Sequence, residues 1–187
     1  MTLPAVRLDI FSDPVCPWCL VGKANLDRAL ADHPGHPFQI QWHPFQLNPD
    51  MPPEGVTKRA YLEEKFGGKA RVDAVHERLI HWAGIESLQS PVVTALMQAY
   101  WSQGRDIGDL ETLADIAAEN GMDRDATLRL LQSDADAEDI AARDADARAK
   151  GVNSVPTFLI AQQYVVSGAQ PPDLWGKVIA EIAGKAE

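Results

Sequence analysis

Cys16 and Cys19 are the only cysteines in the chain of 187 residues, and three positions separate them. This spacing places their sulfurs one helical turn apart, so one thiol can attack a disulfide and the other can resolve the mixed disulfide. Cys16 follows a predicted strand and opens a predicted helix, where unpaired N–H groups and the helix dipole favour a thiolate. We therefore expect Cys16 to be the nucleophile, and to be more exposed and more acidic than Cys19.

Val155-Pro156-Thr157 is a second feature that could take part in this chemistry. It begins a predicted strand directly after a helix and a glycine. A cis proline at this point would present the N–H and carbonyl of Val155 to a substrate chain. The alternative is an ordinary trans proline at the start of a strand.

Two other interpretations of the cysteines stay open. They could be inert buried residues, or they could bind zinc together with His33 and His36. The thirteen residues between Cys19 and His33 suit a zinc finger, but Pro34-Gly35 breaks the helix that should carry both histidines. We favour redox chemistry and expect no metal site. His43, His76 and His81 are interpreted as ordinary histidines.

Composition narrows the function classes further. Asp and Glu number 27 against 17 Lys and Arg, giving a net charge of −10, which disfavours binding to nucleic acid or to an anionic membrane. Two cysteines are too few for a disulfide scaffold. We see neither a secretory signal nor an apolar run of membrane-spanning length, so we expect a cytoplasmic protein.

The predicted elements place the cysteines near the start of an α/β fold. The sequence predicts a strand over Arg7–Asp13, a helix over Pro17–Asp32 and a strand over Phe38–Leu47, with the two strands parallel. A helical block follows. A hairpin and a terminal helix complete the order β-α-β, helices, β-β-α. The block has predicted helices over 58–66, 71–83, 91–103, 109–120, 123–131 and 136–150, and the later elements lie over 155–160, 164–166 and 171–183.

Four motifs along the chain resemble those of the DsbA family of thioredoxin-like proteins, in particular its FrnE-like branch. They are Ser12-Asp13-Pro14-Val15-Cys16-Pro17-Trp18-Cys19 with Val21-Gly22-Lys23, Pro44 through Pro52, Gly151 through Phe158, and Val166 through Pro171. The resemblance implies a thioredoxin-like domain over 1–52 and 151–187, with an all-helical domain inserted over 53–150. It also implies a thiol–disulfide oxidoreductase or isomerase, with Cys16 as nucleophile, Cys19 as resolving thiol and Pro156 in cis.

The same resemblance gives roles to residues around the pair. Pro17 suits the first turn of the helix, while Trp18 stands where DsbA itself carries a histidine. An indole cannot supply the positive charge of a histidinium, and Asp13 opposes a thiolate, so we expect Cys16 to be less acidic than in DsbA. Asp9 is either a buried proton acceptor for Cys19 or an exposed carboxylate on the strand.

The alternative function is a glutathione-dependent isomerase or transferase. Kappa-class glutathione transferases and 2-hydroxychromene-2-carboxylate isomerases share this architecture but generally place serine where Cys16 stands. In either case no cofactor is expected to be bound, and glutathione is a candidate co-substrate. The resemblance assigns binding of glutathione or a peptide to Asn48, Val155, Gly168, Ala169 and Gln170.

A third interpretation is a module that binds unfolded peptides on its aromatic residues, although residues at these periodicities usually belong to a core. The set comprises Trp42, Phe45, Trp82, Trp101 and Trp175. The partner is expected to be a protein or small molecule that carries a thiol or disulfide. Its identity, the direction of exchange and the oligomeric state are not set by the sequence.

The helical insertion is shorter than is usual in the resembled family. The segment from Lys65 joins the segment from Arg78 with a few dozen fewer residues than expected. Either the helical domain is trimmed, or a stretch is absent from the printed chain. We hypothesise the second, and the intact mass of the protein compared with 20.4 kDa would decide.

Overall fold

The computed structural model describes residues 5–47 and 75–185, and the structural statements below concern these residues. Three predictions therefore lie outside the described part: the loop that begins at Asn48, the helix over 58–66, and the shortened segment before Arg78. They stay predictions. Within the described ranges, none of the helices has both the length and the apolar character needed to cross a membrane.

Four strands form one mixed sheet with the spatial order β2-β1-β3-β4. The β1–β2 pair is parallel, as predicted, whereas β3 runs antiparallel to both β1 and β4. The strands are β1 (Val6–Ser12), β2 (Phe38–Pro44), β3 (Thr157–Ile160) and β4 (Tyr164–Ser167). The predicted strand–helix–strand start and the terminal hairpin are thus confirmed.

Helices fill the rest of the described chain in the predicted order. They are α1 (Pro17–Asp32), α2 (Val75–Ile85), α3 (Gln89–Gln98), α4 (Leu110–Glu119), α5 (Arg124–Leu131), α6 (Ala137–Ala149) and α7 (Pro172–Lys185). A π-helical turn over Ala99–Gln103 continues α3. All the described helices from α2 to α6 lie between β2 and β3 in the chain, in agreement with a helical insertion. Its limits at residues 53 and 150 stay a prediction.

The ends of these helices follow from local chemistry. Asp109 and Asp123 accept hydrogen bonds from the backbone N–H groups of Thr112 and Ala126, as N-capping aspartates do. The predicted start of α3 at Pro91 is wrong, because the helix begins two residues earlier, at Gln89. Proline is tolerated there because the first-turn N–H groups of a helix have no helical partner.

Helix α6 buries only a narrow face. Ile140 is buried on it, whereas the small apolar residues Ala141 and Ala145 are exposed. Besides Ile140, the buried side chains are Asp144 and Ala147. Asp144 lies on the packing face because it accepts a hydrogen bond of 2.9 Å from the backbone N–H of Gln46.

The core sits around β1 and joins the sheet to the helical segment. Helices α2, α3 and α6 contact β2, while α1 packs against α7. Trp42 of β2 donates its indole N–H to the Ser90 hydroxyl of α3 at 2.9 Å. Of the aromatic set considered for peptide binding, Trp42, Phe45, Trp82 and Trp175 are buried and Trp101 is partly buried, which favours the core interpretation.

Candidate active site

Cys16 is the N-cap residue of α1. Its backbone is extended (φ −82°, ψ 119°), and its carbonyl accepts hydrogen bonds from the N–H groups of Cys19 and Leu20. Pro17 occupies the first helical position, where its fixed φ suits the turn and its missing N–H leaves no donor unpaired. The sequence therefore places the first sulfur at the positive end of a helix of 16 residues.

Both thiols are free and buried, with exposed fractions of 2% for Cys16 and 1% for Cys19. Cys16 is the more exposed of the two, as predicted, but only marginally, because both side chains are almost fully covered. The Cys16 Sγ lies 3.6 Å from the carbonyl oxygen of Val155. Trp18, between the cysteines, is 64% exposed and provides the large apolar surface beside them.

The acidities of the two thiols differ in the expected direction. A hydrogen bond from the Cys19 thiol lowers the pKa of Cys16 to about 7, assisted by the backbone N–H groups of Cys19 and Trp18. Burial and the negative charge of Asp13 oppose this lowering. Burial raises the pKa of Cys19, and its interaction with Cys16 raises it further. The pair thus holds one thiolate close to neutral pH, with the second sulfur as its hydrogen-bond donor.

The Val155–Pro156 segment closes the other side of Cys16. Its peptide bond is cis, and the Pro156 carbonyl accepts a hydrogen bond of 2.8 Å from the N–H of Gly168. Gly22 of α1 faces the Pro156 ring so closely that a Cβ at this glycine would lie 2.9 Å from the proline Cγ.

The predicted binding residues near the C-terminus gather at the same place. Gly168, Ala169 and Gln170 form the loop directly before α7, which begins at Pro172. The side-chain amide of Asn25 holds this loop to α1 by donating to the Gln170 carbonyl at 2.9 Å. Asn48, the remaining predicted binding residue, lies outside the described residues.

Asp9 is buried, so the interpretation as an exposed carboxylate is wrong. Its Oδ1 lies 2.5 Å from both the Arg7 guanidinium and the His43 Nε2. The groups that influence the pKa of Cys19 are instead Cys16, Ser12 and the backbone of Asp13, and Asp9 is not among them. These contacts give Asp9 an ion-pairing role on the strand and do not support its role as a proton acceptor for Cys19.

Asp13 is a site residue whose positioning role the sequence analysis missed. Its two carboxylate oxygens accept hydrogen bonds from the N–H groups of Val15, at 3.0 Å, and Leu47, at 2.8 Å. The Asp13 carbonyl accepts a further one from the N–H of Cys16, also at 3.0 Å. Asp13 therefore fixes the loop that delivers the first cysteine to the helix. An aspartate before proline after a strand is the signal that could have revealed this turn.

His76 and Glu77 were also missed, and both are buried against Asp13. His76 Nε2 lies 3.6 Å from Asp13 Oδ1 and 3.9 Å from Glu77 Oε1. Neither residue had a sequence signal, because a His-Glu pair at the start of an amphipathic helix is common on a solvated face.

The zinc-finger alternative does not fit the geometry. His33 is the C-cap of α1 and His36 follows it, whereas the two cysteines lie in and before the first turn. A helix of 16 residues spans roughly 24 Å at 1.5 Å per residue, so these side chains cannot meet on one ion. His33 Nδ1 lies 2.8 Å from the carbonyl oxygen of Ala29.

Comparison with known proteins agrees with this fold. The sequence model of the DSBA-like thioredoxin domain matches residues 7–180, and the chain therefore belongs to this family of thiol–disulfide oxidoreductases. The uncharacterized protein YwbO of Bacillus subtilis is 27% identical, over 94% of this chain and 96% of its own. A probable DsbA oxidoreductase of Streptomyces coelicolor, SCO1869, superposes with a TM-score of 0.83 at 25% identity, covering 97% of this chain and 92% of its own.

Two further structures share the fold at lower sequence identity. A 2-hydroxychromene-2-carboxylate isomerase has a TM-score of 0.70 at 16% identity, covering 96% of this chain and 97% of its own. The cytosolic disulfide reductase DsbM of Pseudomonas aeruginosa, solved with glutathione, has a TM-score of 0.64 at 18% identity, covering 94% and 98%. At these identities the likeness concerns the fold alone.

Proposed function

We propose that the chain exchanges disulfides with protein or small thiol substrates through Cys16 and Cys19. One observation carries the proposal. The Cys16 sulfur lies at a helix N-terminus, accepts a hydrogen bond from Cys19, and faces the backbone carbonyl of Val155 at 3.6 Å. Membership of the DSBA-like family and the likeness to SCO1869 support the same reaction.

In the proposed reaction the Cys16 thiolate attacks one sulfur of a substrate disulfide. The substrate S–S bond breaks, a Cys16–substrate disulfide forms, and the departing substrate sulfur takes the Cys19 proton. The Cys19 thiolate then attacks Cys16 Sγ, which releases the second substrate sulfur as a thiolate that takes a proton from water. The substrate gains two electrons and the protein is oxidised to a Cys16–Cys19 disulfide. The reverse sequence oxidises a dithiol.

Substrate binding is assigned to the backbone around the pair. An extended peptide segment would hydrogen-bond to Val155 and lie against Gly168, Ala169 and Gln170, while Pro156 and Trp18 flank the sulfur. The loop contacts of Asn25 and Gly168 support this assignment, because they hold these groups in place before substrate arrives. Asn48 joins the set on the strength of the family resemblance.

Glutathione is the proposed small co-substrate. Two glutathione molecules would reduce the Cys16–Cys19 disulfide, forming glutathione disulfide and restoring both thiols. The proposed location is the cytoplasm. The DsbM structure, described as that of a cytosolic reductase with glutathione, supports both points by analogy.

The first test is reduction of a disulfide-bonded protein such as insulin with glutathione as reductant. Cys16→Ser is expected to lower activity to the uncatalysed background, because no sulfur remains to form the mixed disulfide. Cys19→Ser should leave one glutathione attached to Cys16, which intact mass measures. Pro17 and Trp18 are unchanged in both variants, so the two serines serve as matched controls for each other. Full activity of Cys16→Ser would overturn the proposal.

A second candidate is glutathione-dependent isomerisation or transfer, which the fold of the isomerase neighbour favours. This chemistry activates bound glutathione and needs no protein thiol. Cys16→Ser should then retain glutathione-dependent turnover of a 2-hydroxychromene-2-carboxylate or an electrophilic substrate. Loss of all turnover in Cys16→Ser, together with a glutathione adduct in Cys19→Ser, would decide for disulfide exchange.

A redox titration in glutathione buffers sets the direction of exchange. A midpoint near that of thioredoxin, about −270 mV, indicates a reductase, and one near that of DsbA, about −120 mV, indicates an oxidant. Since the pKa of Cys16 is lowered only to about 7, we expect a midpoint potential closer to that of thioredoxin than to that of DsbA. The reason is that a weakly stabilised thiolate adds little to the stability of the reduced form.

A further inference from the structure

Asp13, His76 and Glu77 form a buried cluster, and two of its members, His76 and Glu77, have no part in the proposed disulfide exchange. Their exposed fractions are 4%, 5% and 1%. Within the described part of the chain, both carboxylate oxygens of Glu77 and the Nε2 of His76 are buried without a hydrogen-bond partner. Buried polar atoms in native proteins are nearly always paired, so three unpaired atoms on two adjacent buried residues point to a missing ligand.

The distances in the cluster suit ligands of one metal ion better than hydrogen bonds. One ligand atom from each residue can be chosen so that all three lie within 4.8 Å of one another. His76 Nε2 is 3.6 Å from Asp13 Oδ1 and 3.9 Å from Glu77 Oε1, beyond hydrogen-bonding range. Ligands bound at about 2.0–2.2 Å around a tetrahedral ion stand about 3.3–3.6 Å apart, which is close to this spacing.

The local charge also favours a cation. The buried Glu77 carboxyl lies near two other acids, Asp13 and Asp144, and Arg143 is the positive charge that opposes them. Arg143 offsets the charge of Glu77 only in part, because its guanidinium also interacts with His81 Nδ1, at 2.9 Å, and with Asp139, at 3.8 Å. A divalent ion between two carboxylates would remove much of this unfavourable charge.

We propose that Asp13, His76 and Glu77 bind one divalent transition-metal ion of the Zn²⁺ type, through two carboxylate oxygens and one imidazole nitrogen. A fourth position would go to water, as in sites with three protein ligands. The proposal departs from the sequence-based interpretation of His76 as an ordinary histidine and from the expectation of no metal. It does not depend on the function proposed for the cysteines.

The position of the cluster predicts what the ion would do. Asp13 belongs to the loop between β1 and α1, whereas His76 and Glu77 belong to the first turn of α2. A bound ion would therefore join the loop that carries Cys16 to the helical segment. Binding to the folded chain alone would raise its melting temperature, by an amount that grows with the logarithm of the ratio of free metal concentration to Kd.

The test must keep zinc away from the thiols, so it uses the full chain carrying Cys16→Ser and Cys19→Ser. After removal of metal with a chelator, calorimetric titration with Zn²⁺ should show one equivalent per chain. Titration with Co²⁺ should give visible absorption bands of a low-symmetry site without the charge-transfer band of thiolate ligands. Absence of a stoichiometric site in this protein would overturn the proposal.

Adding Glu77→Gln to this background tests the assignment to the cluster. The amide should weaken Zn²⁺ binding at least tenfold and abolish the zinc-dependent rise in melting temperature. The matched control is Glu138→Gln, an exposed glutamate in the first turn of α6, which should bind zinc like the parent. Should Glu77→Gln fail to fold, His76→Gln takes its place with the same expectation. Unchanged affinity in the folded variant would also overturn the proposal.

Discussion

Asp9 on β1 and Glu77 on α2 are equally buried, each 1% exposed, but one oxygen of Asp9 is paired, whereas both oxygens of Glu77 lack a hydrogen-bond partner among the described residues. Asp9 meets Arg7 and His43 at 2.5 Å. This difference in partners shows that a buried carboxylate can have two roles in this protein. A matched carboxylate holds strands together, and an unmatched one must take up a proton or a cation.

The largest effect should come from breaking the matched site. Asp9→Asn removes the charge that Arg7 and His43 share, and leaves two donors facing an amide. We expect the free energy of unfolding to fall by about 2–3 kcal/mol, somewhat below the usual cost for a fully buried pair because Arg7 is partly exposed. Urea denaturation followed by circular dichroism measures this loss.

The control for Asp9→Asn is Asp146→Asn. Asp146 pairs with Lys150 at 2.6 Å, but both side chains are largely exposed. Exposed pairs contribute little, so the denaturation midpoint should hardly move. Equal losses in the two variants would show that burial does not strengthen the Asp9 pair.

Replacing the unpaired carboxylate of Glu77 by an amide should change stability in the opposite direction. In metal-free buffer at neutral pH, Glu77→Gln removes a poorly compensated buried charge. The free energy of unfolding is expected to rise by about 1 kcal/mol. A destabilised Glu77→Gln protein under these conditions would mean that the carboxylate is already compensated in the metal-free chain.

The pH dependence of stability sharpens the same contrast. Because burial raises the pKa of Glu77 above its ordinary value of 4.5, the unfolded chain releases this proton at lower pH than the folded chain does. The stabilising effect of protonated Glu77 is therefore full below pH 4.5 and is lost as the pH rises through the folded-state pKa. The unfolding free energy of metal-free wild type should therefore be nearest to that of Glu77→Gln below pH 4.5 and fall increasingly below it as the pH rises over this range. A difference that is constant with pH would contradict the raised pKa.

The smallest effect concerns the influence of Asp13 on the nucleophile. Since the pKa of Cys16 is about 7, its alkylation rate should rise through neutral pH with one titration midpoint. Asp13 raises this pKa, so Asp13→Asn should move the midpoint to lower pH by a fraction of a pH unit. Asp32→Asn, an exposed change at the far end of α1, is the matched control. A midpoint that stays in place would exclude the Asp13 charge as an influence.

The sequence predicted the elements of the described fold well because local signals define them. The cysteine spacing, Pro17 at a helix start and the capping residues Asp109 and Asp123 each act within a few residues. The burial of Asp9 and Cys16 was harder to predict, because it depends on partners that the fold brings from distant segments, such as His43 and Val155. The Asp13–His76–Glu77 cluster joins residues more than 60 positions apart, and no local pattern could have revealed it.

Gly22 lies so close to Pro156 that there is no room for a Cβ at position 22. The absence of this atom sets how closely α1 can approach the Val155–Pro156 segment beside the active site. A methyl group at position 22 would press on the proline ring, which belongs to the same short segment as the Val155 carbonyl. To relieve this contact, α1 and the Val155–Pro156 segment would move apart, which would displace the Val155 carbonyl relative to the Cys16 sulfur. A glycine six residues after the nucleophile, with no reactive group of its own, thereby allows α1 to approach the segment that faces the Cys16 sulfur.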